Sequence, residues 1–295
     1  MSRNKTINSL ALTRYDDIFS TGRIDNDGER IMEIPLVELF PPEIHPFHVL
    51  DDEAMSRLAE SVKEYGVREP GIARPRSEGG YELLCGNRRK RACELVEKTT
   101  MPVIIRELTD DLAILVMVDS NLDQRDRILL SEKAAAYRMM MEALNHSGVK
   151  GESYSYEIMV ERTGESKNQI FRIIRLTNLI VTLADKVDAR QLAFNPAVEL
   201  SYLTAKEQIA VADAMAAYEI KPSLSQAIRL KKLKQDGNLT EKAIDSILGE
   251  EKKPPKGETT SSVRFRKYFP PDYSPKQIEK VIVDLLRDWQ AKTAV

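Results

Sequence analysis

The stretch Leu83-Leu84-Cys85-Gly86-Asn87-Arg88-Arg89-Lys90-Arg91-Ala92-Cys93-Glu94-Leu95-Val96 constrains this chain more than any other. Tyr81, Leu83 and Cys85 alternate with Glu82 and Leu84 as in a short strand. Gly86-Asn87 interrupts the run, and Ala92, Leu95 and Val96 resume at helical spacing. Strand, glycine turn and helix start follow one another directly, with three arginines and a lysine in the first helical turns. A helix N-terminus already carries partial positive charge and unpaired N–H groups, so cations gathered there are unfavourable unless an anion joins them. The pattern reads as an anion site, phosphate first. A solvated basic face is the plainer alternative.

A chain of 295 residues can hold two or three domains with ordinary cores. With 42% hydrophobic and 31% charged residues it reads as soluble and charge-rich. The net charge of −2 leaves nucleic acid open, because a local patch decides binding. Cys85 and Cys93 lack metal-type spacing and read as reduced thiols of a cytoplasmic protein. No apolar run approaches the roughly 18 residues of a membrane span, and Met1–Arg14 has no signal-peptide core, so a secreted or membrane protein is not expected. His45, His48 and His146 are too scattered for a metal site or triad, and P-loop, nucleophile-elbow and dinucleotide patterns are absent from the sequence. His45-Pro46-Phe47-His48 reads as a loop packed on the small α/β domain.

The order of patterns predicts an α+β chain. Residues 1–32 are polar and read as a flexible tail. Residues 33–109 form a small α/β domain. Asp51-Asp52 caps a helix through Met55, Leu58, Ala59, Val62 and Tyr65, which Gly66 stops. Strands follow at Gly71–Pro75 and Tyr81–Cys85 around a Glu78-Gly79-Gly80 turn, then the basic helix, then a strand over Met101–Arg106. Residues 110–236 read as helical throughout, with helices at Leu112–Asp119 and Ser131–Leu144.

Within that region Tyr156–Leu176 has the helix-turn-helix plan: a first helix, a turn at Gly164, and a second helix capped by Ser166 with Ile170, Ile173 and Ile174 inward. Its outward side shows Lys167, Asn168, Gln169, Arg172 and Arg175. Amides suit adenine edges, and Lys and Arg suit guanine or phosphate. Any helical hairpin with a polar face is the alternative. The lysines of Leu230-Lys231-Lys232-Leu233-Lys234 read as a solvated face. Residues 237–262 are a helix and linker. In residues 263–295, Ser274-Pro275 starts a helix with the stripe Ile278, Val281, Ile282, Leu285, Leu286 and Trp289. A lone helix cannot bury that stripe, so dimerisation is expected, with folding back onto the main body as the alternative.

From about Glu33 to Leu233 the sequence resembles the ParB family of DNA-partition proteins. Gly66-Val67-Arg68-Glu69-Pro70 resembles that family's first nucleotide-contacting turn. Gly86-Asn87-Arg88-Arg89-Lys90-Arg91-Ala92 resembles its Gly-Glu-Arg-Arg triphosphate box, and Asp119-Ser120-Asn121-Leu122-Asp123-Gln124-Arg125 its Glu-Asn-Leu-Gln-Arg segment. The resemblance implies a homodimeric clamp that binds CTP with Mg²⁺ through Gly66, Arg68, Glu69, Pro70, Gly86, Asn87, Arg88, Arg89, Arg91, Ser120 and Asn121. Asn121 and the nucleotide phosphates would hold the metal. Ser166, Lys167, Asn168, Gln169, Arg172 and Arg175 would read a palindromic, centromere-like duplex, and a Walker-type ATPase would be the partner of this nucleoid-associated, cytoplasmic protein. The sequence departs from the family at Asn87 and Ser120, where the family has Glu, and by one extra residue, Asp123. A serine lacks the charge that Mg²⁺ takes from a carboxylate; Asp119, one position earlier, is the substitute if the turn shifts. The residues leave three functions open: a CTP-gated partition clamp with weak CTP hydrolysis, a helix-turn-helix regulator of a mobile element without gating, and an enzyme using the small α/β domain.

Overall fold

The computed structural model describes residues 30–124, 128–146, 152–250, 268–270 and 273–293. The chain divides into two units, Met1–Leu248 and Gly249–Val295. Most of the expected tail, and the linker from residue 251, lie outside the described residues.

The first unit begins with β1 (Ile31–Pro35), a 3₁₀ turn (Leu36–Glu38) and β2 (Leu39–Phe40), then α1 (Glu53–Tyr65), β3 (Gly71–Pro75), β4 (Tyr81–Cys85), α2 (Asn87–Leu95) and β5 (Thr100–Ile105). The strands form one mixed sheet in the order β1-β5-β3-β4-β2. β1 runs antiparallel to β5, β5 parallel to β3, β3 antiparallel to β4, and β4 parallel to β2. Sequence patterning finds β3, β4 and β5 and misses the two edge strands. β1 starts at Ile31, inside what reads as tail, because Ile31 and Met32 are exposed on an edge and lack an alternating signal.

Local chemistry explains the boundaries. The Asp52 carboxylate accepts from Met55 N at 2.8 Å, and Gly66 closes α1 at φ 74° with its N–H on the Val62 carbonyl. The β3–β4 turn needs Gly79 and Gly80, at φ 89° and 72°. At Gly80 a Cβ would also sit 2.7 Å from the Phe40 ring and 2.8 Å from the Glu38 carbonyl oxygen.

β4 is buried on both faces. Leu83 enters a core with Ile34, Leu39, Met55, Val62, Ala92, Cys93, Met101 and Val103, under α1 and α2. Leu84 points the other way into a second, larger core shared with the helices that follow. These are α3 (Asp110–Gln124), α4 (Leu130–His146), α5 (Glu152–Thr163), α6 (Lys167–Arg175), α7 (Val181–Asp188), α8 (Phe194–Leu200), α9 (Ala205–Ala217), α10 (Leu224–Gln235) and α11 (Glu241–Leu248). Ile244, Ile247 and Leu248 of α11 are buried in that core, and Gln226 Nε2 donates to the Ile247 carbonyl at 2.8 Å. The helical region therefore runs past residue 236. Two lysines expected on a solvated face pair across helices instead, Lys231 with Glu199 and Lys234 with Glu207, each at 2.9 Å. The 45–48 loop also differs from expectation. Phe47 is apolar enough to join the helical core, and the His48 N–H and Nδ1 meet buried Glu132 of α4 at 2.8 and 3.0 Å. Cys85 and Cys93 are buried thiols, and burial pushes the Cys93 thiol up.

In the second unit, α12 (Pro275–Thr293) starts at a reciprocal cap: Gln277 N donates to Ser274 Oγ and Ser274 N to Gln277 Oε1. Ile278 is buried and Val281 and Ile282 partly so, while Leu285, Leu286 and Trp289 are 58–64% exposed.

Gly80→Ala combines a left-handed backbone with contact against Phe40 and the Glu38 carbonyl. It should destabilise the first unit by about 1–3 kcal/mol, lowering Tm by roughly 2–4 °C per kcal/mol in a thermal melt.

Candidate nucleotide and nucleic-acid interfaces

Gly86 ends β4 and caps α2 from a left-handed conformation, φ 105° and ψ 15°. Its carbonyl accepts from Lys90 N at 2.9 Å, which closes the first helical turn. The N–H groups of Asn87, Arg88 and Arg89 therefore lie in a first turn that offers them no intrahelical acceptor. A Cβ at Gly86 would come within 3.2 Å of Gly71 Cα, so β4 turns into α2 hard against the start of β3.

The cations of the box differ in what they hold. Arg89 Nη1 donates to the carbonyls of Glu69 and Pro70 at 2.6 and 2.7 Å, and Nη2 lies 3.4 Å from Cys85 Sγ. This guanidinium ties the Gly66–Pro70 turn to the box, so the first two motifs meet through one side chain. Arg91 donates to both carboxylate oxygens of Asp51, at 3.0 and 2.6 Å, and to Glu94 at 3.2 Å. Lys90 Nζ donates to the Leu39 carbonyl at 2.8 Å, anchoring β2. Arg88 has the loosest tie, 3.7 Å to Asp52. Arg68 is exposed, its guanidinium 4.6 Å from the centre of the Tyr65 ring. Asn87 Nδ2 lies 3.3 Å from both the Leu83 carbonyl and His45 Nε2. Each of the four cations of the box thus has a partner within the protein.

Ser120 and Asn121 lie within α3, and both side chains donate to the Met117 carbonyl, at 3.1 and 2.8 Å. The helix is regular through Gln124, so the local turn that would bring Asp119 round does not form. Asp119 is buried and accepts from Arg162 Nη1 of α5 at 2.5 Å, which commits it to the helical core. Among the described residues no group of three or more His, Cys, Asp or Glu side chains is arranged to hold a metal. These donors do not fit a Mg²⁺ held by the protein.

In the helix-turn-helix, α5 and α6 are joined through Gly164 at φ 66°, and Ser166 Oγ accepts from Gln169 N. Ile170 and Ile173 are buried, and Ile174 is partly so. Lys167 and Asn168 are exposed and Gln169 partly exposed. The two arginines are tied to the flanking segment. Arg172 donates to Asn195 Oδ1 at 2.6 Å and lies 5.0 Å from the Phe194 ring centre. Arg175 donates to the Ser201 carbonyl at 2.7 Å and stacks 3.9 Å from the Tyr202 ring centre. The surface is thus built from α6 together with α8, which sequence patterning did not connect to it. Asp51, Asp52, His45 and Phe171 were missed as well. The signal for the first two was the pair of acids at a cap, where one carboxylate suffices and the second is left for another partner.

Residues 21–122 match the model of the ParB N-terminal domain. The chain is 29% identical over 195 residues to the nucleoid occlusion protein of Listeria monocytogenes serovar 1/2a, covering 66% of this chain and 64% of the relative. It is 26% identical over 197 residues to a probable chromosome-partitioning protein ParB of Neisseria meningitidis, covering 67% of this chain and 66% of the relative. The chain thus spans just under two thirds of these relatives. A crystal structure of C-terminally truncated ParB from Caulobacter crescentus complexed to the centromeric parS site superposes with a TM-score of 0.43. It has 21% identity and covers 68% of this chain and 98% of that one.

The Arg91 hydrogen bond and charge hold the Asp51 carboxyl below its ordinary 3.8. A carboxyl lowered in the folded state adds stability above its unfolded value and loses it as pH falls through the folded one. Asp51→Asn should therefore lower Tm at pH 7, and the gap to the parent chain should close below about pH 4 in melts run across pH.

Proposed function

We propose that this chain is a DNA-binding partition protein of ParB type. It would bind duplex DNA as a homodimer through α5 and α6 and take CTP at the junction of β4 and α2. Arg89 carries the proposal: it unites the Gly66–Pro70 turn and the arginine box, the two motifs to which the family resemblance assigns the nucleotide. In this reading the first-turn N–H groups of α2 and the loosely held Arg88 meet the triphosphate. Arg89 positions the turn, and Arg91 and Lys90 brace the helix. α12 presents its apolar stripe to a second copy. A Walker-type ATPase partner and a location on the cytoplasmic nucleoid belong to the same reading. Among the described residues no helix is long and apolar enough to cross a membrane.

A second reading is a helix-turn-helix regulator without nucleotide gating. It is favoured by one observation: Ser120 and Asn121 are turned onto their own helix and Asp119 is committed to Arg162.

Calorimetric titration with each of the four ribonucleoside triphosphates and Mg²⁺ separates the two. Selective CTP binding supports the clamp, and no triphosphate binding leaves the regulator. Arg89→Ala should abolish CTP binding while specific DNA affinity stays within about twofold. On the DNA side, Asn168→Ala should cost about 1–3 kcal/mol and relax preference at one base pair. Lys167→Ala should weaken all sequences alike and reduce the salt slope by about one. Truncation before Val263 should convert dimer to monomer in sedimentation.

A further inference from the structure

Phe171 is 43% exposed in the middle of α6. The inner side of the helix is already filled by Ile170 and Ile173, and the Phe171 ring stands outside that core. Phe171 stands four residues after Lys167 and three after Asn168, which puts all three on one face of the helix. Arg172 and Arg175, two further outward residues of the helix, are tied to Asn195, Phe194, Ser201 and Tyr202. The face left to meet a duplex therefore consists of Lys167, whose Nζ lies 5.0 Å from the Tyr156 ring centre, with Asn168, Gln169 and the partly exposed Phe171 ring. In the major groove the apolar feature that distinguishes one base from the others is the thymine 5-methyl group, and a phenyl ring is among the side chains that meet it.

We infer that Phe171 is a specificity-determining residue that reads the methyl group of a thymine, next to the base pair met by Asn168. The inference rests on the DNA-binding reading above. The ring lies among Lys167, Asn168 and Gln169, where a polyanion is drawn to the surface. Ring and methyl then leave water together when the helix docks.

The test uses the full chain and a duplex selected by it from a random-sequence pool. Each thymine of the selected duplex is replaced singly by deoxyuridine, which keeps every hydrogen-bonding group and removes only the methyl. The parent chain should bind one substituted position roughly three- to fivefold more weakly, the value of one buried carbon group. Phe171→Ala should bind the thymine and deoxyuridine forms of that duplex equally, and Phe171→Leu, which keeps an apolar body, should retain part of the discrimination. Because the ring is exposed, both variants should keep the parent melting temperature. Selection of a specific duplex without deoxyuridine sensitivity at any position overturns the inference and leaves the DNA reading standing. Undiminished sensitivity in Phe171→Ala overturns it as well. A pool that enriches no sequence removes the DNA reading, and the inference with it.

Discussion

The structure depends on the burial of β4 from both sides. Leu83 and Leu84 are neighbours in sequence and point into different cores, one beneath α1 and α2 and one shared with the helices from α3 onward. A strand held so cannot slide, because a one-residue slip would exchange the two faces. Its C-terminal end is accordingly a fixed point, and Gly86 with the start of α2 is set there. The arginine box owes its position to that double burial more than to its own charges, and Arg89 extends the fixed point outward by holding the carbonyls of Glu69 and Pro70.

How much of this is legible in the sequence depends on how local the cause is. β4, α2, the cap at Asp52, the stop at Gly66, the helix-turn-helix and the cap at Ser274 all follow from neighbouring residues, and all are found where the patterns put them. β1 and β2 escape because edge strands owe their existence to partners far along the chain: Ile31 pairs opposite Ile104, and Leu39 opposite Tyr81. The placement of Phe47 in the helical core and the extension of that core to Leu248 escape for the same reason. In the site, the sequence identifies the cations, while their carboxylate and carbonyl partners are set by the fold. Asp51 is 40 residues from Arg91, and Glu69 is 20 residues from Arg89.

The same distinction separates the residues of α6. By spacing alone Lys167, Asn168, Gln169, Arg172 and Arg175 form one outward surface. The structure divides them, because an arginine stacked on an aromatic ring and bonded to a backbone carbonyl has its direction settled before any ligand arrives. In the proposed DNA-binding reading, such preorganisation suits a wall that orients the helix against a backbone, with base discrimination falling to Asn168 and Phe171.

Two charged contacts tie the helix-turn-helix to the helices before it. Arg162 of α5 meets Asp119 of α3, and Lys133 of α4 meets Glu165 in the turn before α6, each at 2.5 Å. Burial alone would lower the Lys133 ammonium, yet Glu165 and Tyr137 beside it reverse the sign and raise it. Asp119 is adjacent to Ser120 and Asn121, which makes α3 the element bearing both the third family-like segment and an anchor of α5. A shift of α3 would have to break the Asp119–Arg162 contact or carry α5 with it. Removing one partner of such a pair is costlier than removing both, because an uncompensated charge stays behind. In the proposed reading, coupling between the nucleotide and DNA sites through this route is therefore mechanical: α3 and α5 move together or the ion pair opens.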